Sequence, residues 1–374
     1  MESTYSKAPN GPFHLLKITK KEELTKTTFS LELEIPEELK ELFSYQAGQY
    51  VTLNYLHEGK DYYNDYSMTG VSDASSLALG IKVNSEQSST KSLLDTYQVG
   101  DRLRVSLPKG RFTIPIKPHE FRTVVGFAAG IGITPVLSHF KTLLKQEPRT
   151  RLFLFYGNKN REEVAYKEEL DRLVEENRDR LEVYYFYSRE SIGNAFMEGR
   201  LDEKKVALII NQIMMLDDTD EEATLWDSVD HVLICGKGEM IRSIARACYA
   251  HGIPKKNIHF ELFQEFNEDI YPVEVSLPHV EDIEVKFLYN GKWQETRLKN
   301  NQFKLLQSLS ELDFSLPFSC KSGICGSCQC KLLEGKVELL ENEYLTEGEE
   351  EKGNILACMS FALENKIVLD FDHL

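Results

Sequence analysis

The chain has 374 residues, 41% of them hydrophobic and 28% charged, and carries a net charge of −16. That length suits two or three domains, and so acidic a surface excludes nucleic acid as a natural partner, because phosphate would be repelled. Every apolar run is broken well short of a membrane span, and the opening MESTYSKAPNGPF lacks the charged-then-apolar pattern of a secretory signal, so the expected location is the cytoplasm, with no membrane partner.

Residues 8–116 read as short alternating runs broken by turns, among them TFSLELEI, QYVTLNYL, LALGIKV and DRLRVSL. Alternation of period two with frequent turns predicts an antiparallel β-barrel. From residue 117 to 265 the character changes. The apolar runs TVVGFAA, RLFLFYG, LEVYYFYS, HVLICG and NIHFELF are separated by charged segments of helical period, such as REEVAYKEELDRLVEEN. This predicts an α/β domain, a parallel sheet covered by helices, with ligands at the carboxyl ends of its strands.

The first of these strands runs into Gly130-Ile-Gly132-Ile-Thr134-Pro135. With Thr134 as helix N-cap and Pro135 as the first helical residue, backbone N–H groups and the positive helix end would face a pyrophosphate. A purely structural strand–helix turn is the alternative, since Pro135 replaces the third glycine of the usual dinucleotide fingerprint. Ser188 and Arg189 follow the third strand, where the adenosine ribose would lie. A hydroxyl and a guanidinium there favour a 2′-phosphate and so NADPH, while the adjoining Glu190 leaves NADH open.

Residues 266–280 read as a linker that would let the last domain move. In 281–374, IEVKFLYN and KWQETRL predict strands and FKLLQSLSEL a helix, an α+β domain with an acidic excess suited to steering a basic redox partner. Here lie most of the seven cysteines. Cys320, Cys325 and Cys328 are spaced C-x4-C-x2-C, and Cys358 arrives from a distant segment. An odd number crowded at one end is a poor disulfide framework. The spacing is that of a plant-type [2Fe–2S] cluster, whose two irons each need two thiolates; Gly323 and Gly326 permit turns that aim N–H groups at sulfur. A zinc site is the alternative, less suited because zinc motifs usually come as paired C-x2-C knuckles. Cys330 reads as packing.

On these residues the last domain resembles plant-type ferredoxins, as does the ending ILACMSFAL…IVLDFD. Gly130-Ile-Gly132-Ile-Thr134-Pro135, with Cys235-Gly236-Lys237-Gly238-Glu239-Met240, resembles the nucleotide domain of the ferredoxin–NADP reductase superfamily. Lys237 stands where that family has proline. The resemblance implies that Cys235 and Glu261 border the nicotinamide. It extends to the first domain through Asn64-Asp65-Tyr66-Ser67, Ile81-Lys82-Val83, Ser89-Thr90-Lys91-Ser92 and Pro108-Lys109-Gly110-Arg111-Phe112. Tyr66 would then pack on the isoalloxazine, Ser67 would lie near flavin N5, and Lys82 and Lys91 would lie near the flavin phosphates. Asn64 replaces the family's phosphate-binding arginine, and Ser89 replaces a glycine. YGNKNREEVAYKEEL, GRLDEKK and the DFDHL ending are similar to oxygenase reductases of the phenylacetyl-CoA epoxidase type, which implies FAD and an oxygenase component as electron acceptor. A competing expectation is a redox-sensing or electron-storage ferredoxin module whose flavin site has degenerated.

Overall fold

The computed structural model describes residues 13–71, 75–215, 224–264, 266, 268–271, 276–318, 321, 323, 326–340, 342 and 344–373. The chain divides into two compact units, Met1–Phe266 and Asn267–Leu374.

The first unit opens with β1 (Phe13–Thr25), β2 (Thr28–Glu34), β3 (Tyr50–His57), β4 (Lys60–Ser67), β5 (Ser76–Lys82), helix α1 (Ser89–Thr96) and β6 (Arg102–Ser106). The strands form one six-stranded antiparallel sheet in the order β4-β3-β6-β1-β2-β5. Alternate residues such as Leu31, Leu33, Leu77, Leu79 and Ile81 point into a common core, and burying them curls the sheet. Its two edge strands meet only just past β4, where Met68 bridges Leu79 and the Thr69 N–H donates to the Ala78 carbonyl at 2.8 Å. The expected barrel is therefore a curled half-barrel.

There follow β7 (Arg122–Ala129), α2 (Ile133–Gln146), β8 (Thr150–Asn158), α3 (Lys167–Glu176), β9 (Leu181–Tyr187), α4 (Glu203–Gln212), β10 (Val229–Gly236), α5 (Gly238–Ala250) and β11 (Ile258–Leu262). The five strands are all parallel, ordered β11-β10-β7-β8-β9. Central β7 is buried along nearly its whole length, as a strand covered by helices on both faces requires. Two helix starts differ from the sequence expectation, that of α2, described with the site below, and that of α3. REEVAYKEELDRLVEEN is not one helix: Arg161–Glu163 form a 3-10 turn and Tyr166 takes φ 60° before α3 begins. Val164, Ala165 and Tyr166 are all buried in the domain core, and seating them interrupts the helical path.

The second unit contains β12 (Glu281–Tyr289), β13 (Lys292–Asn300), α6 (Leu305–Glu311), β14 (Gln329–Glu334), β15 (Val337–Leu339), α7 (Glu347–Glu351), β16 (Asn354–Leu356), β17 (Ser360–Ala362) and β18 (Lys366–Asp370). A mixed sheet β13-β12-β18-β14-β16 is accompanied by the pair β15-β17. Phe287, Leu309, Leu356, Leu369 and Cys330 lie in its core. At its start Asp269 pairs with the buried ammonium of Lys304 at 2.8 Å, which ties down part of the segment read as a linker. Among the described residues no helix is long and apolar enough to cross a membrane.

Candidate active site and cluster loop

The carboxyl ends of β7, β10 and β11 form one rim of the parallel sheet. Parallel pairing puts Cys235 of β10 directly beside Glu261 of β11. Across from them, β4 of the half-barrel ends at Ser67, whose hydroxyl donates to Glu261 Oε2 at 3.0 Å. This contact joins residues 194 positions apart in sequence and brings together the three candidate catalytic side chains. All three are buried. Burial pushes the Glu261 carboxyl up to about 8, the Ser67 hydrogen bond offsets part of that shift, and the Asp65 charge adds to it. Burial, with the charge of Glu261, also raises the Cys235 thiol. Near neutral pH the site is thus an uncharged thiol, a largely protonated acid and a hydroxyl. It can hold a proton at Glu261 and present a soft, neutral wall to a flat ring.

The glycine turn lies against this rim. A Cβ on Gly132 would fall 2.3 Å from the Cys235 carbonyl oxygen, so only glycine lets the turn approach β10 this closely. The Gly130 carbonyl accepts from the Tyr156 hydroxyl at 2.9 Å. Thr134 is not the N-cap. Residues Gly130–Gly132 form a 3-10 turn, α2 begins at Ile133, and the Thr134 hydroxyl donates back to the Ile131 carbonyl at 3.0 Å. The physical reason is that Gly130, at φ 54°, reverses the chain earlier than a threonine cap would, and Pro135 is tolerated anywhere in a first turn whose N–H groups have no partner. Lys82 reaches toward the same turn. A Cβ on Gly130 would lie 3.8 Å from its Nζ, and Glu163 stands 3.9 Å away. Burial lowers the Lys82 pKa, against the opposing charge of Glu163.

On the half-barrel the strand period separates the remaining candidates. Asn64 and Tyr66 share one face, where Asn64 Nδ2 lies 2.5 Å from the Tyr55 hydroxyl, 3.1 Å from Ser89 Oγ and 3.5 Å from the Tyr66 hydroxyl. Tyr55 completes the cluster, 3.2 Å from both Tyr66 and Ser89. Asp65 faces the other way, accepting from Thr52 Oγ1 at 2.5 Å with Lys109 3.9 Å distant. Ile81 is a core residue, Val83 is buried, and the Val83 N–H donates to the Thr27 carbonyl. Ser92 lies 2.8 Å from His57 Nδ1. Lys91 is bound at 2.6 Å by both oxygens of Asp95, which leaves Lys82 as the better placed of the two lysines. Tyr55 was not singled out by the sequence, where it is one aromatic in an alternating strand.

Ser188 and Arg189 are exposed just past β9. Gly236 ends β10 beside the rim.

In the cysteine loop, Cys320 and Cys325 lie outside the described residues. Cys328 and Cys358 come together: the Cys358 N–H donates to Cys328 Sγ at 3.4 Å, and the Ala357 N–H to the Cys328 carbonyl at 3.1 Å. A backbone donor turned onto sulfur is what a thiolate ligand of an electron-accepting cluster needs, so these residues fit the group. Gly326 has φ 65°, and a Cβ there would fall 2.2 Å from the Tyr344 ring. Cys330 is fully buried on β14, where burial raises its thiol well above the ordinary range.

Three family models match the chain in succession. Residues 15–114 match the oxidoreductase FAD-binding domain, 127–246 the oxidoreductase NAD-binding domain, and 287–363 the 2Fe-2S iron-sulfur cluster binding domain. The chain is 27% identical over 365 residues to a component of the 1,2-phenylacetyl-CoA epoxidase of Escherichia coli K12, covering 96% of this chain and 98% of the relative. It is 28% identical over 368 residues to the ferredoxin reductase component of 3-ketosteroid-9-alpha-monooxygenase from Rhodococcus rhodochrous, covering 96% of each. The fold is that of phthalate dioxygenase reductase, with a TM-score of 0.52, 23% identity, and coverage of 96% of this chain and 98% of that one.

Proposed function

We propose that this chain, an NAD(P)H-dependent oxidoreductase of the ferredoxin–NADP reductase superfamily with its own [2Fe–2S] domain, is the reductase component of an oxygenase system. The observation that carries the reading is the Ser67–Glu261 hydrogen bond, which joins the FAD-binding domain to the NAD-binding domain beside Cys235, where the nicotinamide would lie. Bound FAD would accept electron pairs from NAD(P)H and release electrons singly to a one-electron cluster.

The chain's own residues do the positioning. Tyr66, whose phenol burial keeps protonated, would cover one face of the flavin ring. Ser67 and Glu261 would hold an exchangeable proton beside the flavin ring, and Cys235 would line the nicotinamide side without charge. Asn64, Ser92, Lys82 and the Gly130–Gly132 turn would hold phosphates. Ser188 and Arg189 would meet the adenosine ribose, with NADPH as the favoured coenzyme. Cys320, Cys325, Cys328 and Cys358 would ligate the cluster. The domain boundaries that go with this reading are 8–116, 117–265 and 281–374. The acceptor is a redox protein, and the two relatives named above support an oxygenase component; the compartment is the cytoplasm.

The test is the visible spectrum of the purified protein together with NADPH-driven reduction of ferricyanide and cytochrome c. A flavin and a cluster spectrum, with both acceptors reduced, are expected. A cluster without flavin, and no NAD(P)H oxidation after reconstitution, would replace this reading with an electron-storage or redox-sensing module.

A further inference from the structure

We propose that Arg161 sets a preference for NADPH over NADH by drawing the Glu190 carboxylate away from the coenzyme's adenosine ribose, which leaves Arg189 to meet a 2′-phosphate. The inference rests on the reductase reading above and deepens it. The loop after β9 is held from both sides. On one side the Ser188 N–H donates to the Asn158 carbonyl at 2.9 Å and the Arg189 N–H to the Lys159 carbonyl at 2.8 Å, pinning the loop to the end of β8. On the other, Glu198 Oε1 accepts from Ser191 Oγ at 2.9 Å, the Ile192 N–H at 2.8 Å and the Gly193 N–H at 3.0 Å. The backbone of this loop therefore has a set path.

A ribose with free hydroxyls is best met at this position by a carboxylate acceptor, and a 2′-phosphate by a guanidinium. Both groups are present side by side, as Arg189 and Glu190. The structure separates their roles. Glu190 Oε2 accepts from the Arg161 backbone N–H at 2.7 Å, and Oε1 lies 3.5 Å from Arg161 Nε. One residue thus engages both carboxylate oxygens, through main chain and side chain. The Arg161 guanidinium is itself steadied over the Tyr187 ring, 6.0 Å from its centroid. The Arg189 guanidinium is exposed and has no hydrogen-bond or ion-pair partner among the described residues. Pairing also neutralises the charge that would otherwise repel a phosphate dianion. Arg161 is a positioning residue, and it acts through Glu190.

Steady-state kinetics of ferricyanide reduction by the holoenzyme, with NADPH and NADH in parallel, tests this without involving the cluster or a protein partner. Arg161→Ala keeps the backbone N–H but removes the guanidinium that neutralises the Glu190 carboxylate, and should raise KM for NADPH by on the order of tenfold, the effect of a charge-assisted contact, with little change in KM for NADH. Adding Glu190→Gln to that variant should recover most of the NADPH loss, because the carboxylate charge left unneutralised is its cause. Equal KM changes with both coenzymes, or no recovery in the double variant, would overturn the inference and leave the reductase reading standing. Ferricyanide reduction with neither coenzyme in the wild-type protein would overturn both.

Discussion

Replacing Glu261 by glutamine should make the protein more stable and less active, and the stability gain should grow with pH. Burial raises the Glu261 carboxyl from 4.5 to about 8 in the folded chain, so folding favours its protonated form. The stability it contributes is complete below its unfolded value, falls as pH rises above 4.5, and is fully lost once pH passes the folded value near 8. One pKa unit corresponds to about 1.4 kcal/mol, so the cost of the acid reaches about 2 kcal/mol at pH 6 and about 5 kcal/mol at pH 9. Glutamine keeps an acceptor for the Ser67 hydroxyl and has no proton to lose. The stability gap between Glu261→Gln and wild type should therefore widen by about 3 kcal/mol between those pH values. Urea unfolding read from Trp226, which is 3% exposed in the first unit, measures it in a Trp293→Phe background. In parallel, the wild-type kcat profile should break near pH 8, and the variant's should be flat and lower. A gap that does not change with pH would refute the argument, because the cost would then not arise from ionisation. The trade of stability for a strained, titratable group is common at active sites.

Three further outcomes are expected. Arg189→Ala should weaken NADPH by tenfold or more, given roughly 1.5–3 kcal/mol for a charge-assisted bond, and barely affect NADH; equal losses measured by coenzyme KM would remove it from 2′-phosphate recognition. Serine at Cys328 or Cys358 should abolish iron and labile sulfide, whereas Cys330→Ala should keep both and cost about 1 kcal/mol of stability from the small cavity left. Asn64→Arg alone should loosen flavin, since the larger side chain must break the bonds to Tyr55 and Ser89, a loss of roughly 1–3 kcal/mol. Asn64→Arg with Ser89→Gly should bind flavin more tightly than wild type, measured as retention through gel filtration, and a gain from the single substitution would show that the cluster yields freely.

Much of the architecture was legible in local pattern. Thiolate spacing is a covalent property of the chain, so C-x4-C-x2-C with a distant fourth cysteine pointed to a cluster domain before any fold was known. Strand–helix alternation and the order of the glycine, cysteine and tyrosine motifs gave the succession of domains in the same way, because hydrophobic period follows from backbone geometry within a single element. What lay beyond reach were relations between segments. Helix α2 starts before Thr134 because a positive φ at Gly130 turns the chain first. The charged run after β8 reads as a segment of helical period, and nothing in it marks Arg161 as the holder of Glu190. Asn64 reads as a missing charge, and only packing makes it the centre of a bonded cluster with Tyr55 and Ser89. Ser67, Cys235 and Glu261 could each be nominated from motifs, yet their meeting depends on the end of β4 reaching β11, where burial of the carboxyl sets its proton affinity. Composition and spacing determine which elements form; desolvation and contact between distant elements determine what their side chains can do.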